Sequence, residues 1–252
     1  MKYIVGDIGN TLIKLSLLNK DFKIIKSTNI ETKKIYKKEH LKTFIKKIHV
    51  NGINKKILFS SVVPNAFKKL KLELKKLKFK SYEVKEFPIK KIIKFNVKNI
   101  KQVGSDRIAN AIGSYLNFNK DCLVVDFGTA TTFDIIKKSG VYEGGVIAPG
   151  IKLSISNLNK STALLPVLNL KMKTKAYGKN TSEALNAGFI WGYQGLINNI
   201  IKKISLASKT RYKIILTGGY ASFYKKYIHR KSVIDENITI KGIIEIYKTL
   251  LI

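Results

Sequence analysis

A chain of 252 residues, 45% hydrophobic and 25% charged, is long enough for one large domain or two of about 120 residues each, and too apolar to be disordered. Its formal charge of +32 comes from 48 basic against 16 acidic residues, yet only Arg107, Arg211 and Arg230 are arginine and the lysines are scattered. That distribution fits a solvated lysine-rich surface rather than a nucleic-acid footprint, so no specific nucleic-acid partner is expected. A single cysteine, Cys122, within an apolar run excludes an internal disulfide and a thiolate metal cluster, and a buried structural thiol is expected. His40, His49 and His229 have no metal-ligand spacing and suggest no serine triad. Asp7 interrupts the N-terminus before a signal-type apolar stretch can form, and no apolar run approaches the ~18 residues of a membrane span, so a cytoplasmic protein without membrane association is expected.

In chain order, Tyr3-Ile4-Val5-Gly6 reads as a strand running into the turn Asp7-Ile8-Gly9-Asn10-Thr11 and a second strand over 12–18. Helical patterns follow at 38–49 and 64–77 on either side of a strand at 56–60, then strands near Val84 and Ile92 and a helix over 106–116. Cys122-Leu123-Val124-Val125 then enters Asp126-Phe127-Gly128-Thr129-Ala130-Thr131-Thr132 and a strand at 133–136, repeating the opening pattern. A strand at 142–147, helices at 151–158 and 181–205, a strand at 212–216, and helices at 221–228 and 240–250 complete the chain. Alternating strands and helices in both halves predict an α/β protein of two similar domains, 1–117 and 118–252, divided within or just after the helix that begins at Asp106.

Among so few acidic residues, Asp7, Asp106, Asp126 and Glu143 all stand next to or near glycines at turns or strand ends. One D-x-G turn would be unremarkable, since Asp is common beside Gly; two at equivalent places of a repeat point to function. The first loop offers backbone N–H groups to an anion, Asp7 suits a hydrated Mg²⁺ bridging nucleotide phosphates, and Lys14 adds a point charge. The second loop repeats the arrangement with three hydroxyls. Neither is a Walker A loop or a dinucleotide fingerprint. Between them Gly104-Ser105-Asp106-Arg107 sets a carboxylate and a guanidinium at a helix start, where an Asp serves equally well as a cap. Gly144-Gly145-Val146-Ile147-Ala148-Pro149-Gly150 and Thr217-Gly218-Gly219 add sharp loops that let a ligand approach the backbone.

These motifs, with Thr162-Ala163-x-Leu165-Pro166 and Gly178-Lys179-Asn180-Thr181, stand in an order that resembles type III pantothenate kinases over nearly the whole chain. The resemblance implies two ribonuclease-H-like domains of the acetate and sugar kinase, heat-shock chaperone and actin superfamily, with an interdomain nucleotide cleft. It implies ATP-dependent phosphorylation of pantothenate to 4'-phosphopantothenate, the first step of coenzyme A biosynthesis, by a homodimer using Mg²⁺ and a monovalent cation, K⁺ or NH₄⁺. Carried over residue by residue, it makes Asp106 the general base. Asp7, Ile8, Gly9, Asn10, Thr11, Leu12, Ile13 and Lys14, with Thr129, contact ATP. Gly104, Ser105, Asp106, Arg107, Val97 and Thr181 contact pantothenate, Thr181 from the neighbouring subunit. Asp126 binds the monovalent cation, and Asp7 is a candidate Mg²⁺ ligand.

The chain departs from the family pattern where Val97 replaces a substrate-contacting tyrosine and Ile100 a proline, in Val97-Lys98-Asn99-Ile100-Lys101-Gln102-Val103-Gly104. Leu12 and Ile13 also stand where many members are polar. The competing expectation is a noncatalytic regulatory or nucleic-acid-associated relative that keeps the fold. A ribonuclease-H-type nuclease would need several carboxylates converging on two metal ions.

Overall fold

The computed structural model describes residues 1–48 and 51–252; His49, at the end of the helix expected over 38–49, and Val50 lie outside the described residues. The chain forms two compact units: Met1–Asn119 with Ser139–Glu143 and Asn237–Ile252, and Lys120–Lys138 with Gly144–Glu236.

In the first unit, β1 (Lys2–Ile8), β2 (Leu12–Leu18) and β3 (Ile24–Glu31) form an antiparallel meander. After α1 (Lys38–Lys46), β4 (Ile53–Ser61) returns parallel to β1; α2 (Pro64–Lys76) leads to β5 (Lys80–Glu83), parallel to β4, so the sheet runs β3-β2-β1-β4-β5. The alternation expected of a covered sheet is plain in β1. Ile4 and Ile8 pack with Ile13, Leu15, Ile57 and Phe59 beneath Leu41, Phe44, Leu70 and Leu74 of the two helices. The opposite face carries Tyr3, Val5 and, at the carboxyl end, Asp7. β6 (Lys94–Phe95) and α3 (Ser105–Phe118) follow. Asn119 stops α3 in the left-handed conformation at φ 46°, a role Asn fills readily, and the chain leaves the unit there.

In the second unit, β7 (Cys122–Phe127) pairs antiparallel with β8 (Ala130–Lys137), and β9 (Val141–Pro149) lies next. α4 (Ile151–Lys160) and the 27-residue α5 (Thr181–Ala207) precede β10 (Lys213–Gly218), parallel to β7. The short α6 (Ala221–Tyr224) and β11 (Ser232–Ile234), parallel to β10, end this unit, and α7 (Ile238–Leu250) completes the chain in the first unit. Apart from β6, which pairs parallel with β9 at the edge of this sheet, the order β9-β8-β7-β10-β11 repeats that of the first sheet, so the repeat in the sequence is a repeat of topology. Leu123, Val125, Phe127, Phe133 and Leu216 form the core with Ile197 and Ile201 of α5. Cys122 is buried and its thiol pushed up to about 11 by burial, an inert group.

Several elements differ from expectation. The segment 237–252, assigned by sequence to the second domain, belongs to the first unit. Helix α7 crosses α3 where a Cβ on Gly242 would strike Ala109 O and one on Gly113 would strike Ile238 O, and its Tyr247 hydroxyl donates to Lys56 O at 3.1 Å. β3 was not foreseen because it is an edge strand with only Thr28 buried, and β11 because it has three residues. The strands expected near Val84 and Ile92 are β5 and β6, with Val84 and Ile92 themselves outside them: 3₁₀ turns at Val84–Glu86 and Ile89–Lys91 follow β5, bracketing Pro88. The helix expected over 221–228 is α6 followed by a 3₁₀ turn at Lys225–Tyr227.

Candidate active site

The site in the first unit is built at the carboxyl ends of its parallel strands, where open α/β sheets present their binding loops. In register, Asp7 on β1 has Lys14 beside it on β2 and Ser60 beside it on β4. The turn from β1 to β2 is closed by Gly9 N–H donating to Leu12 O at 2.9 Å. Thr32 braces it from outside, its hydroxyl donating to Gly9 O at 2.6 Å and its amide to Thr11 O at 3.0 Å. Asn10, Thr11 and Leu12 are exposed, whereas Ile8 and Ile13 are wholly buried, so those two offer main chain only. Lys14 Nζ donates to Asn237 Oδ1 at 2.6 Å.

Asp106 sits in the first turn of α3, whose N-cap is Gly104 with no side-chain cap; its Oδ1 accepts the Arg107 amide at 2.7 Å. A Cβ on Gly104 would collide with Asp106 Oδ1, so the glycine is fitted to that carboxylate. Asp7 and Asp106 are near enough to repel. Burial pushes the Asp7 carboxyl up to about 7, with Asp106 adding to the rise. Lys14 opposes it, as does the Ser60 hydroxyl, which lies close without reaching hydrogen-bond geometry. Burial raises Asp106 too, against the Arg107 amide and guanidinium and the Lys85 charge.

Buried polar atoms normally have partners. Here Asp7 Oδ1, Ser60 Oγ, Ser105 Oγ and Glu83 Oε1 are all buried without one. These four belong to one connected neighbourhood: Asp7 with Ser60 and Asp106, Ser105 preceding Asp106, and Glu83 beside Ser105. Within it, Asp7 Oδ1 is the atom that a bound ion or molecule would complete. Ser60, Glu83 and Thr32 were missed by sequence reasoning; the pairing of strands reveals the first two, and the hydrogen bonds to Gly9 and Thr11 the third.

Val97 is half-buried just after β6. Phe95, two residues before it, has its ring committed to Tyr142 at 5.6 Å, and Asn96 Nδ2 donates to Glu143 Oε2 at 2.7 Å. Asn99 caps the 3₁₀ turn Ile100–Gln102 by accepting the Lys101 amide at 3.0 Å, so Ile100 takes the place of proline without loss of the turn.

Asp126, Thr129 and Thr181 lie in the second unit. Asp126 on β7 has Thr132 of β8 and Thr217 of β10 beside it in register, hydroxyls where Asp7 has a lysine and a serine. Two glycine motifs close around this loop: a Cβ on Gly150 would strike Thr129 O, and Gly218, at φ 84°, leaves no room for a Cβ beside Asp126 Oδ1. Thr129 is exposed, as is Thr181, which opens α5 behind Asn180, whose side chain accepts the Glu183 amide at 2.9 Å. Among the described residues no three His, Cys, Asp or Glu side chains gather to hold a metal ion, and no helix is long and apolar enough to cross a membrane.

A family model described as type III pantothenate kinase matches residues 3–203. The type III pantothenate kinase of Pelagibacter ubique (strain HTCC1062) is 46% identical over 242 residues, 96% of each chain. Among solved structures, a Campylobacter jejuni chain described as a Baf family transcriptional activator superposes with a TM-score of 0.61 at 23% identity, covering 97% of both chains. A Sinorhizobium meliloti chain described as a 2-dehydro-3-deoxygalactonokinase does so with 0.58 at 10% identity over 98% of both, a likeness of fold alone.

Proposed function

The chain belongs to the type III pantothenate kinase family and phosphorylates pantothenate in coenzyme A biosynthesis; we propose that ATP is the donor and Asp106 the general base. Its fold is that of the acetate and sugar kinase, heat-shock chaperone and actin superfamily, with the same strand order in both halves. The observation that carries the mechanistic reading is the meeting of Asp7 and Asp106 among four buried, unpartnered oxygens and hydroxyls.

In this reading the primary hydroxyl of pantothenate attacks the γ-phosphorus of ATP. One P–O bond forms to the substrate, the bond to ADP breaks, and the hydroxyl proton passes to Asp106. Phosphoryl transfer asks a protein chiefly for positioning and charge neutralisation. A carboxylate raised by burial is the better proton acceptor, and Asp106 is so raised. Arg107, Gly104, Ser105, Val97 and, from the neighbouring subunit, Thr181 hold pantothenate. Backbone groups of 8–13, with Lys14 and Thr129, hold the nucleotide.

The orphaned Asp7 Oδ1 fits a cation, and Asp7 is the residue to hold Mg²⁺, which when bound screens the phosphate charge. Asp126, with Thr132 and Thr217 flanking it, offers the all-oxygen donor set that suits K⁺ or NH₄⁺. A homodimer is supported by α5. Ala184, Gly188, Gly192 and Gly195 form an exposed strip, and no atom lies within 4 Å of a Cβ built on any of these three glycines. Leu158, Leu165, Leu185, Phe189 and Leu196 line an apolar groove of about 630 Å³ there. A cytoplasmic location is proposed with the kinase reading, on its need for ATP.

The test is coupled ADP release by the purified protein with Mg²⁺ and K⁺. Release that depends on pantothenate is expected; ATP turnover indifferent to pantothenate, or none, would remove the kinase reading and leave a noncatalytic relative.

A further inference from the structure

Asp106 has two duties that conflict. The first turn of α3 has no side-chain cap at Gly104, so the carboxylate of Asp106 itself takes the Arg107 amide, at 2.7 Å. Free N–H groups at a helix start need partners. A base that accepts a substrate proton becomes neutral and holds that amide less strongly, so a second anchor steadies the turn during the transfer.

Glu83 stands where such an anchor is required. It ends β5 and caps the following 3₁₀ turn, with Oε2 accepting the Lys85 amide at 2.7 Å. Its other oxygen, Oε1, is buried and unpartnered. So is the hydroxyl of Ser105, the first residue of α3, which is 1% exposed and close enough to stabilise the Glu83 anion. One unfilled acceptor, on Glu83, therefore adjoins one unfilled donor on Ser105, the residue before Asp106. Lys85 strengthens the brace: its Nζ donates to Lys101 O at 3.1 Å, tying the Glu83 turn to the segment that leads into Gly104.

We propose that Glu83 is a positioning residue for Asp106: its carboxylate receives the Ser105 hydroxyl and fixes the first turn of α3 when Asp106 turns to the substrate. The proposal rests on the kinase reading for its catalytic consequence, and on α3 alone for its structural one. Glu83 touches no reacting atom, so its loss should fall on kcat rather than on substrate binding.

The experiment compares Glu83→Ala, Glu83→Gln, Ser105→Ala and the double Ala variant by steady-state kinetics, with amide hydrogen exchange of residues 105–108 on the same samples. Misplacing a catalytic group by a fraction of an ångström to one ångström costs about 10- to 100-fold, so Glu83→Ala should lose kcat about tenfold with both KM values within about twofold. Glu83→Gln keeps an acceptor oxygen and should recover most of the rate. Ser105, 1% exposed, meets pantothenate through its main chain, so the double variant should lose no more kcat than Glu83→Ala alone, and exchange at the first turn should quicken in each Ala variant. Wild-type kcat in Glu83→Ala, additive losses in the double variant, or unchanged exchange would each overturn the proposal. Exchange also decides the matter should the wild-type protein prove inactive on pantothenate, an outcome that refutes the kinase reading by itself.

Discussion

Replacing Asp7 by asparagine should make the protein more stable at neutral and alkaline pH while weakening its hold on Mg²⁺·ATP. Burial, then Asp106, lifts the Asp7 carboxyl from 3.8 to about 7. About three pKa units at 1.36 kcal/mol each set an upper limit near 4 kcal/mol on the cost of ionising Asp7 in the folded chain. Below pH ~4 the group is protonated folded and unfolded, and the cost vanishes. Between pH ~4 and ~7 the unfolded chain releases a proton that the folded one retains, so wild-type stability falls as pH rises, and above ~7 the full cost is present.

Asn carries no charge to desolvate, so Asp7→Asn should gain about 2–4 kcal/mol at pH 8 and nothing at pH 4. At 2–4 °C per kcal/mol for a chain of this size, Tm at pH 8 should rise by roughly 5–12 °C. Melting curves in EDTA at pH 4, 6 and 8 measure this, and calorimetric titration with Mg²⁺·ATP measures the loss of binding. Because burial outweighs Asp106 among the causes, the gain should shrink but persist in an Asp106→Asn background. A gain equal at all pH values, or none at pH 8, would show that Asp7 is not ionised against its surroundings and would undo the electrostatic account of the site.

Asp106→Asn keeps the shape of the helix start but cannot accept a proton, so pantothenate turnover should fall by about 10²-fold or more in the coupled assay. Near-wild-type kcat would leave Asp106 as a cap for α3. Asp126→Ala should abolish a dependence on K⁺ over Na⁺ measured at fixed ionic strength and saturating Mg²⁺; equal wild-type rates in both salts would remove the cation assignment and spare the kinase reading. Gly188→Glu places a charge on the apolar strip of α5 at a position with open space for a Cβ, so light scattering should report monomers where the wild type is dimeric. A wild-type monomer with full activity would count against a site completed by Thr181 of a second copy.

How much of this could be read from the residues depended on whether a feature is local. The D-x-G turns, the helix that opens at Ser105–Asp106 and the long α5 announce themselves through contiguous signals, and each lies within a few residues of its expected place. Edge strands β3 and β11 escaped because no buried row marks them, and α7 was given to the wrong half because its membership is decided by the Gly242–Ala109 contact, 133 positions apart in the chain. Ser60 and Glu83 were invisible for the same reason: only parallel pairing, Asp7 to Ser60 and Phe59 to Glu83, brings them to the site.

The duplicated fold explains why two equivalent aspartates invite different roles. Asp7 and Asp126 end equivalent strands, each followed by a turn and an antiparallel partner. What stands opposite them differs. Asp7 faces Lys14, a fixed cation, and adjoins Asp106; Asp126 faces Thr132 and Thr217, which are neutral oxygen donors. A carboxylate beside a lysine and a second carboxylate has its charge balance set largely by the protein and is poised near neutrality. A carboxylate flanked by hydroxyls stands in an all-oxygen corner, and its negative charge near a polyanion favours a mobile cation between the two. Exchanging the opposing residues is the direct trial of that logic: Thr132→Lys should supply the positive charge from the protein itself, making activity less sensitive to K⁺ while lowering its maximum. If Thr132→Lys kept the full K⁺ response, the residue opposite Asp126 would not be what calls for the ion.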